Sequence, residues 1–226
     1  MNFFHLDCVY FKLKKIHVYL LKLLHMTIFI VAITTLISIL AFSRPELMYK
    51  LQFNPYQVYH RKQYYRLLTH ALLHADWVHL LINMLVLFSF GTAVEWYLDR
   101  LDVVFPGLLY LLLYIGAVVV SSLSTLMKHK DNHWYNSVGA SGGVSAVIFT
   151  SIFFAPWQNL LLYAVIPIPG VVFGGLYLAY SHYMSKRASD NINHDAHFIG
   201  AVFGLLFPLL IDFSLLGTFL EQLFRL

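Results

Sequence analysis

A serine among small residues is the first candidate for chemistry in this chain of 226 residues. Ser141 stands in the run Gly139-Ala140-Ser141-Gly142-Gly143, at the predicted start of an apolar helix. Small neighbours leave its hydroxyl uncrowded, and the N–H groups of a first helical turn have no intrahelical partner. Those donors and the helix dipole can stabilise an oxyanion. The structural alternative is that Ser141 is an N-cap and the glycines permit close helix packing.

A histidine opens the last long apolar segment. His197, Gly200 and Gly204 lie at spacings that place them on one face of a helix. The GxxxG spacing allows the backbone of another helix to approach that face. His197 is therefore expected against a neighbouring helix, either as a catalytic base or as a structural hydrogen-bonding group.

A third pair of polar residues interrupts another apolar segment. His79 and Asn83 are four residues apart, so their side chains share one helix face. Polar groups in a membrane helix point inward, because exposing them to lipid is costly. An imidazole N–H and an amide can both donate to an oxyanion, although hydrogen bonding between helices is the alternative.

Together these groups supply the parts that acyl transfer requires: a nucleophile, a base and oxyanion donors. Ser141 is a weak nucleophile unless a base removes its proton, and His197 is the best-placed base. No Asp or Glu lies within a span near the histidines, apart from Asp195, at a loop edge, and Glu95, near the far end of its helix. A Ser-His dyad is therefore favoured over a triad.

The elements that position these residues belong to a membrane protein. The chain is 59% hydrophobic and only 12% charged, whereas soluble domains are about one quarter charged. Several uncharged runs reach the ~18–20 residues that cross a hydrocarbon core as a helix. We predict an all-α, multi-pass bundle, expected in a cell membrane, with six spans at about 26–43, 77–98, 103–127, 141–155, 170–184 and 196–213.

The sequence divides into one membrane domain and two short ends. Residues 1–25 form a basic amphipathic segment, residues 26–213 the six-helix domain, and residues 214–226 a short C-terminal tail. Met26 opens the first span directly, so residues 1–25 are also compatible with a position upstream of the true start. Residues 44–76 are too basic to span, and 157–166 suit an interfacial connection.

Three motifs, in this order, resemble those of the rhomboid family of intramembrane serine proteases. They are HxxxN at 79–83, GxSG at 139–142 and AHxxGxxxG at 196–204. Residues 65–74 and 93–95 also resemble the segments that enter and leave the second rhomboid helix. The similarity covers roughly residues 26–213.

The resemblance implies a function and a site. The function is cleavage of transmembrane segments in single-pass membrane proteins, by Ser141 as nucleophile and His197 as general base. His79, Asn83 and the backbone N–H of Ser141 would form the oxyanion hole. The resemblance further implies a hydrated cavity capped by 185–195, with the fifth span as the substrate entrance. One departure concerns Ser145, where many rhomboids carry an aromatic residue that stacks on the histidine. Either another aromatic residue supplies the stacking or packing alone holds His197.

Other functions remain open at this stage. A catalytically inactive rhomboid-like protein would bind membrane clients, although such proteins usually lack the serine or histidine. A small transporter would use intramembrane histidines, but the inverted repeat of many transporters is absent. His70 with His74, and His194 with His197, have helical metal-ligand spacing, but no HExxH motif, thiolate or carboxylate pair accompanies them. We expect no metal, cofactor or nucleic acid, and expect His70 and His74 to bond within their own segment.

Overall fold

A computed structural model describes residues 26–101, 103–162, 165–187, 190 and 192–224. The predicted amphipathic segment 1–25 lies outside the described residues. Within them, the helices are α1 Met26–Phe42, α2 Pro45–Leu51, α3 Pro55–Arg61, α4 Arg66–Thr69, α5 Trp77–Leu98, α6 Pro106–His129, α7 Ser141–Phe154, α8 Gly170–Ser185, α9 His194–Ile211 and α10 Leu215–Phe224. The six predicted spans correspond to α1 and α5 to α9.

The chain is a helical membrane bundle, as predicted. In the part of the chain that the structure describes, three helices are long and apolar enough to cross a membrane, namely α5, α6 and α9, and α1 and α7 are shorter apolar helices. The third span begins three residues later than predicted, because Pro106 occupies the first turn of α6, where its missing N–H costs nothing. The last span begins two residues earlier, at His194, because Asn193 caps it.

Helix α7 is the centre of the bundle. Every residue from Gly142 to Phe153 is buried, and α5, α6 and α9 pack around it. The outward faces of the surrounding helices are apolar: Leu36 is 59% exposed, Leu81 67% and Leu210 75%. Such surfaces suit lipid.

Polar residues line the inside of the bundle. Helix α1 buries Thr27, Thr34 and Ser38, spaced along one stripe, while most of its leucines and isoleucines face outward. At the start of this helix, the buried carboxylate of Glu95 on α5 accepts hydrogen bonds from the N–H groups of Met26 and Thr27. The first turn of α1 is thus capped by another helix.

The two connections that the sequence left undefined have regular structure. Residues 44–76 form α2, α3, α4 and a 3₁₀ turn at His70–Leu72. Buried Arg66 ties this segment together by donating to the carbonyls of Tyr49 and Gln52, at 2.9 and 2.7 Å. The connection before α8 is an antiparallel hairpin of β1 Asn159–Leu162 and β2 Ile166–Pro169. The fold is therefore helical except for this short hairpin.

The predicted C-terminal tail contains α10, which packs at the end of α7. The ring of Phe219 stacks on that of Phe153, with centroids 4.8 Å apart. The indole of Trp157 donates to the carbonyl of Leu223 at 3.1 Å. The C-terminal residues are thus attached to the end of α7 opposite Ser141.

Candidate active site

Ser141 and His197 are in direct contact. Their atoms Oγ and Nε2 lie 2.7 Å apart, a hydrogen-bond distance, although the residues are 56 positions apart in sequence. Both side chains are partly buried. This geometry lets an unprotonated Nε2 accept the hydroxyl proton of Ser141.

The turn before α7 determines where Ser141 lies. The cap position is Ala140, which makes no side-chain cap bond, so Ser141 is the first helical residue and not the N-cap that the structural alternative required. Its N–H and those of the next two residues therefore belong to the first turn, where donors have no partner within the helix. Gly139 adopts φ +129°, a conformation that other residues rarely take.

His79 lies on the other side of Gly139 from Ser141. A Cβ on Gly139 would be 3.0 Å from His79 Nε2 and 3.9 Å from Ser141 Oγ. The Nδ1 atom of His79 accepts from the N–H of Ala75 at 3.4 Å, which leaves the ring proton on Nε2. The imidazole of His79 and the hydroxyl of Ser141 therefore both lie next to Gly139, where any side chain would press on the imidazole ring.

Asn83 is buried one turn further along α5. Its amide nitrogen donates to the carbonyl of His79 at 2.9 Å, which fixes the amide on the same face of the helix as the imidazole. One N–H of this amide is thus used within α5. The second N–H is the donor that an oxyanion role would need.

The glycines of the two motifs hold α7 and α9 in close contact. A Cβ on Gly200 would meet the backbone carbonyl of Gly142, and one on Gly204 would meet that of Ala146. The hydroxyl of Thr150 donates across the same seam to the carbonyl of Gly204 at 2.7 Å. This close approach, together with the helix starts, brings Ser141 and His197 together.

A cap that sequence reasoning missed positions the start of α9. Asn193 accepts from the N–H of Ala196 at 3.1 Å and donates to Thr125 of α6 at 2.8 Å. Lys128 of α6 adds an ion pair with Asp195 at 3.2 Å. The signal was present in the sequence, since an asparagine before an apolar helix is a common N-cap.

The acids near the site have other partners. Asp195 pairs with Lys128, and both oxygens of Asp190 lie 3.1 Å from Nε2 of His194. That hydrogen bond lowers the pKa of Asp190. Among the described residues, no carboxylate is hydrogen-bonded to His197, and the partner of its Nε2 is Ser141.

An aromatic residue from α8 replaces the one expected after Ser141. The ring of Tyr177 lies nearly parallel to that of His197, with a 22° angle between planes and 6.4 Å between centroids. Its hydroxyl is 2.7 Å from the hydroxyl of Ser145. The sequence offered several tyrosines on this helix and no spacing rule to choose among them.

The expectation for His74 was wrong, because its ring reaches a membrane helix and not its own segment. Its Nδ1 lies 3.0 Å from the hydroxyl of Ser38 on α1, and Nε2 of His70 lies 3.0 Å from the hydroxyl of Ser122 on α6. Burial lowers the pKa of His70 to about 4 and that of His74 to about 3. Both rings are therefore neutral at pH 7 and anchor their segment to the bundle.

Comparison with known proteins points to one family. Residues 61–212, about two thirds of the chain, match the rhomboid domain family. The rhomboid protein YdcA of Bacillus subtilis is 29% identical over 153 residues, which cover 66% of this chain and 67% of that protein. The mitochondrial RHOMBOID-like protein 12 of Arabidopsis thaliana is 27% identical over 150 residues, and the mitochondrial rhomboid protein 1 of Saccharomyces cerevisiae is 27% identical over 153 residues.

These matches establish the family: the chain belongs to the rhomboid family of membrane proteins. The match with the Arabidopsis protein spans 43% of its length, and the match with the yeast protein spans 39%.

Proposed function

We propose that this protein is an intramembrane serine protease that cleaves transmembrane segments of single-pass membrane proteins. The observation that carries the proposal is the 2.7 Å contact between Ser141 Oγ and His197 Nε2. A serine that served as an N-cap would accept a hydrogen bond from its own helix. A histidine that only joined helices would not need a serine at a helix start that has no side-chain cap. The family supports the same reaction class.

The proposed reaction begins when Ser141 Oγ attacks the scissile carbonyl carbon and its proton passes to His197 Nε2. The resulting imidazolium gives that proton to the leaving amine as the C–N bond breaks. Water then attacks the acyl-enzyme, losing a proton to the same Nε2, and the acid product leaves as Ser141 regains its proton. One imidazole serves as base and then as acid in both halves of the reaction.

Three groups are placed to stabilise the tetrahedral oxyanion. They are the backbone N–H of Ser141, the Nε2–H of His79 and the second N–H of the Asn83 amide. The first belongs to the positive end of α7, and the other two approach from one face of α5. Removing one donor from such a site typically slows catalysis by about 10²–10³-fold.

The substrate class follows from the surroundings of the site. The bundle exposes apolar residues outward, and we propose that α1 and α5 to α9 all cross the bilayer, with lipid as the constant partner. Carbonyls of a membrane helix are already hydrogen-bonded, so a substrate must unwind before Ser141 can attack it. Segments with helix-destabilising or small residues near the membrane surface are therefore the expected substrates.

The direct test uses the full chain in liposomes with a model transmembrane substrate. Ser141→Ala and His197→Ala should each lower the cleavage rate by at least about a thousandfold, because each removes one half of a unit. Ser89→Ala and His182→Ala, which change exposed residues of α5 and α8, should leave the rate unchanged. Full cleavage by the Ser141→Ala protein would disprove the proposal.

A fluorophosphonate probe separates the protease from an inactive client-binding rhomboid. The probe should label the wild-type protein at Ser141, and His197→Ala should remove the labelling. A wild-type protein that binds transmembrane peptides but takes no label would identify the client-binding function instead.

A further inference from the structure

The histidine of the dyad is held by a residue from a helix that carries neither catalytic group. Tyr177 extends from α8 and contacts both neighbouring helices at the site. Its hydroxyl bonds with Ser145 on α7 at 2.7 Å, and its ring lies nearly parallel to His197 on α9. The hydroxyl contact fixes one end of the ring, and the ring face is then presented to the imidazole.

Two phenylalanines complete the support of this tyrosine. The ring of Phe149 on α7 is 5.6 Å from that of Tyr177, and the ring of Phe173 on α8 is 5.7 Å away. These separations are those of favourable aromatic pairs. Tyr177 is thus restrained by a hydrogen bond and two ring contacts before it meets His197.

His197 needs such a restraint because no carboxylate holds it. In a triad the acid orients the imidazole and fixes its tautomer. Here Asp190 bonds His194 and Asp195 bonds Lys128. The ring of His194 lies edge-on to that of His197, with 6.0 Å between centroids and 76° between planes. Among the described residues, Tyr177 is therefore the ring that lies roughly parallel to the imidazole.

We infer that Tyr177 is a positioning residue for His197 and that Ser145 anchors it through the hydroxyl contact. The inference rests on the proposed function, because it assigns Tyr177 a part in the same dyad. Many rhomboids carry an aromatic ring one turn after the serine. In this chain that position is Ser145, and the ring comes from Tyr177 on α8. The orientation of the base therefore depends on three helices.

The test measures three quantities for the full chain in detergent: kcat, KM and the rate of fluorophosphonate labelling. Tyr177→Leu should lower kcat and the labelling rate by about 10²-fold, the cost of misplacing a catalytic group by about 1 Å, while KM stays nearly constant. Tyr177→Phe keeps the ring and should lose only about fivefold, the worth of one hydrogen bond. This rescue by the conservative variant is not expected from a residue that merely fills space.

The anchor is tested by a double-mutant cycle. Ser145→Ala should cost about the same fivefold as Tyr177→Phe, because each removes the same hydrogen bond. The double variant should then be no slower than either single variant. Fully multiplicative losses would show that the two hydroxyls act separately and would overturn the anchoring role.

Tyr183 provides the matched control on the same helix. It is 51% exposed, and its ring packs under Arg187, away from the dyad. Tyr183→Leu should therefore leave both kcat and labelling unchanged. Thermal unfolding of every variant separates a loss of folded protein from a loss of rate per folded molecule.

The outcomes separate this inference from the proposed function. If the wild-type protein is labelled and Tyr177→Leu is labelled equally fast per folded molecule, Tyr177 has no positioning role and the protease assignment stands. If Tyr177→Leu changes only the unfolding temperature, its role is structural and the inference falls. A wild-type protein that is neither labelled nor active removes both.

Discussion

Helices α7 and α8 lie side by side and are packed in opposite ways. Helix α7 buries every residue from Gly142 to Phe153, whereas α8 buries only Gly170, Gly174 and Ser181. Ser141 thus stands at the start of an almost fully buried helix. Tyr177, the residue inferred to position His197, stands on a largely exposed one. The two helices that contribute to this site therefore differ in how tightly they are held.

The comparison predicts very different responses to a methyl group. Gly204→Ala on α9 would press a Cβ onto the backbone of α7, so it should destabilise the protein by about 3 kcal/mol or more. Gly175→Ala on α8 meets nothing within 4 Å, and alanine favours a helix by about 1 kcal/mol. Unfolding in detergent should show a large loss for the first and no loss for the second. An equal loss in both would mean that α8 is packed as tightly as α7.

Acid should loosen the 44–76 segment, which contains His70 and His74, and should spare α8. His70 and His74 are held neutral, with pKa values lowered by burial to about 4 and about 3 from 6.5. Between pH 6.5 and the lowered pKa of each histidine, the unfolded chain therefore binds more protons than the folded protein. Stability should be complete above pH 6.5 and fall by up to about 1.4 kcal/mol per pH unit for each histidine as the pH drops toward 4.

Hydrogen exchange or limited proteolysis of residues 44–76 at pH 5 and pH 7 locates this effect. The segment should open more often at pH 5 than at pH 7, because the rings of His70 and His74 take up protons when opening exposes them to water. Helix α8 is the internal reference, since its histidine, His182, is exposed. Opening of α8 before the segment would contradict the assignment.

The seam between α7 and α9 also contains a smaller, separable contribution. Thr150→Val keeps the shape of the side chain but removes its hydrogen bond to the carbonyl of Gly204. The expected loss is about 1 kcal/mol, the net worth of one buried hydrogen bond. Ser185→Ala, at the end of α8, removes a local bond to its own helix and should change stability by less than about 0.5 kcal/mol.

The sequence predicted the parts of this structure that depend on local pattern. Uncharged apolar runs indicated the helices to within a few residues, because a membrane helix is specified by its own composition. The GxxxG face of His197 indicated close packing, and the meeting of Ser141 with His197 follows from that packing and the family motifs. The positions of the helices and the packing face of α9 can be predicted from the residues of each helix alone.

The remainder depends on which helices become neighbours. The sequence indicated an apolar connection where the structure has the hairpin of β1 and β2. Strand pairing depends on both partners, and neither run shows a clear alternation of polar and apolar residues. His74 bonds to Ser38, and Tyr177 bonds to Ser145, across helix pairs that no spacing rule identifies. Ser145 was recognisable as a departure from the family, but its partner became apparent only in three dimensions.

The cap that Glu95 supplies to α1 also affects how the protein is made. The carboxylate and the N–H of Met26 are 69 residues apart in sequence. The ribosome therefore releases α1 long before α5 exists, and the first turn of α1 enters the bilayer region without its acceptor. The native end of α1 forms only after α5 has been synthesised and has docked, so α1 reaches its final structure later than its place in the order of translation suggests.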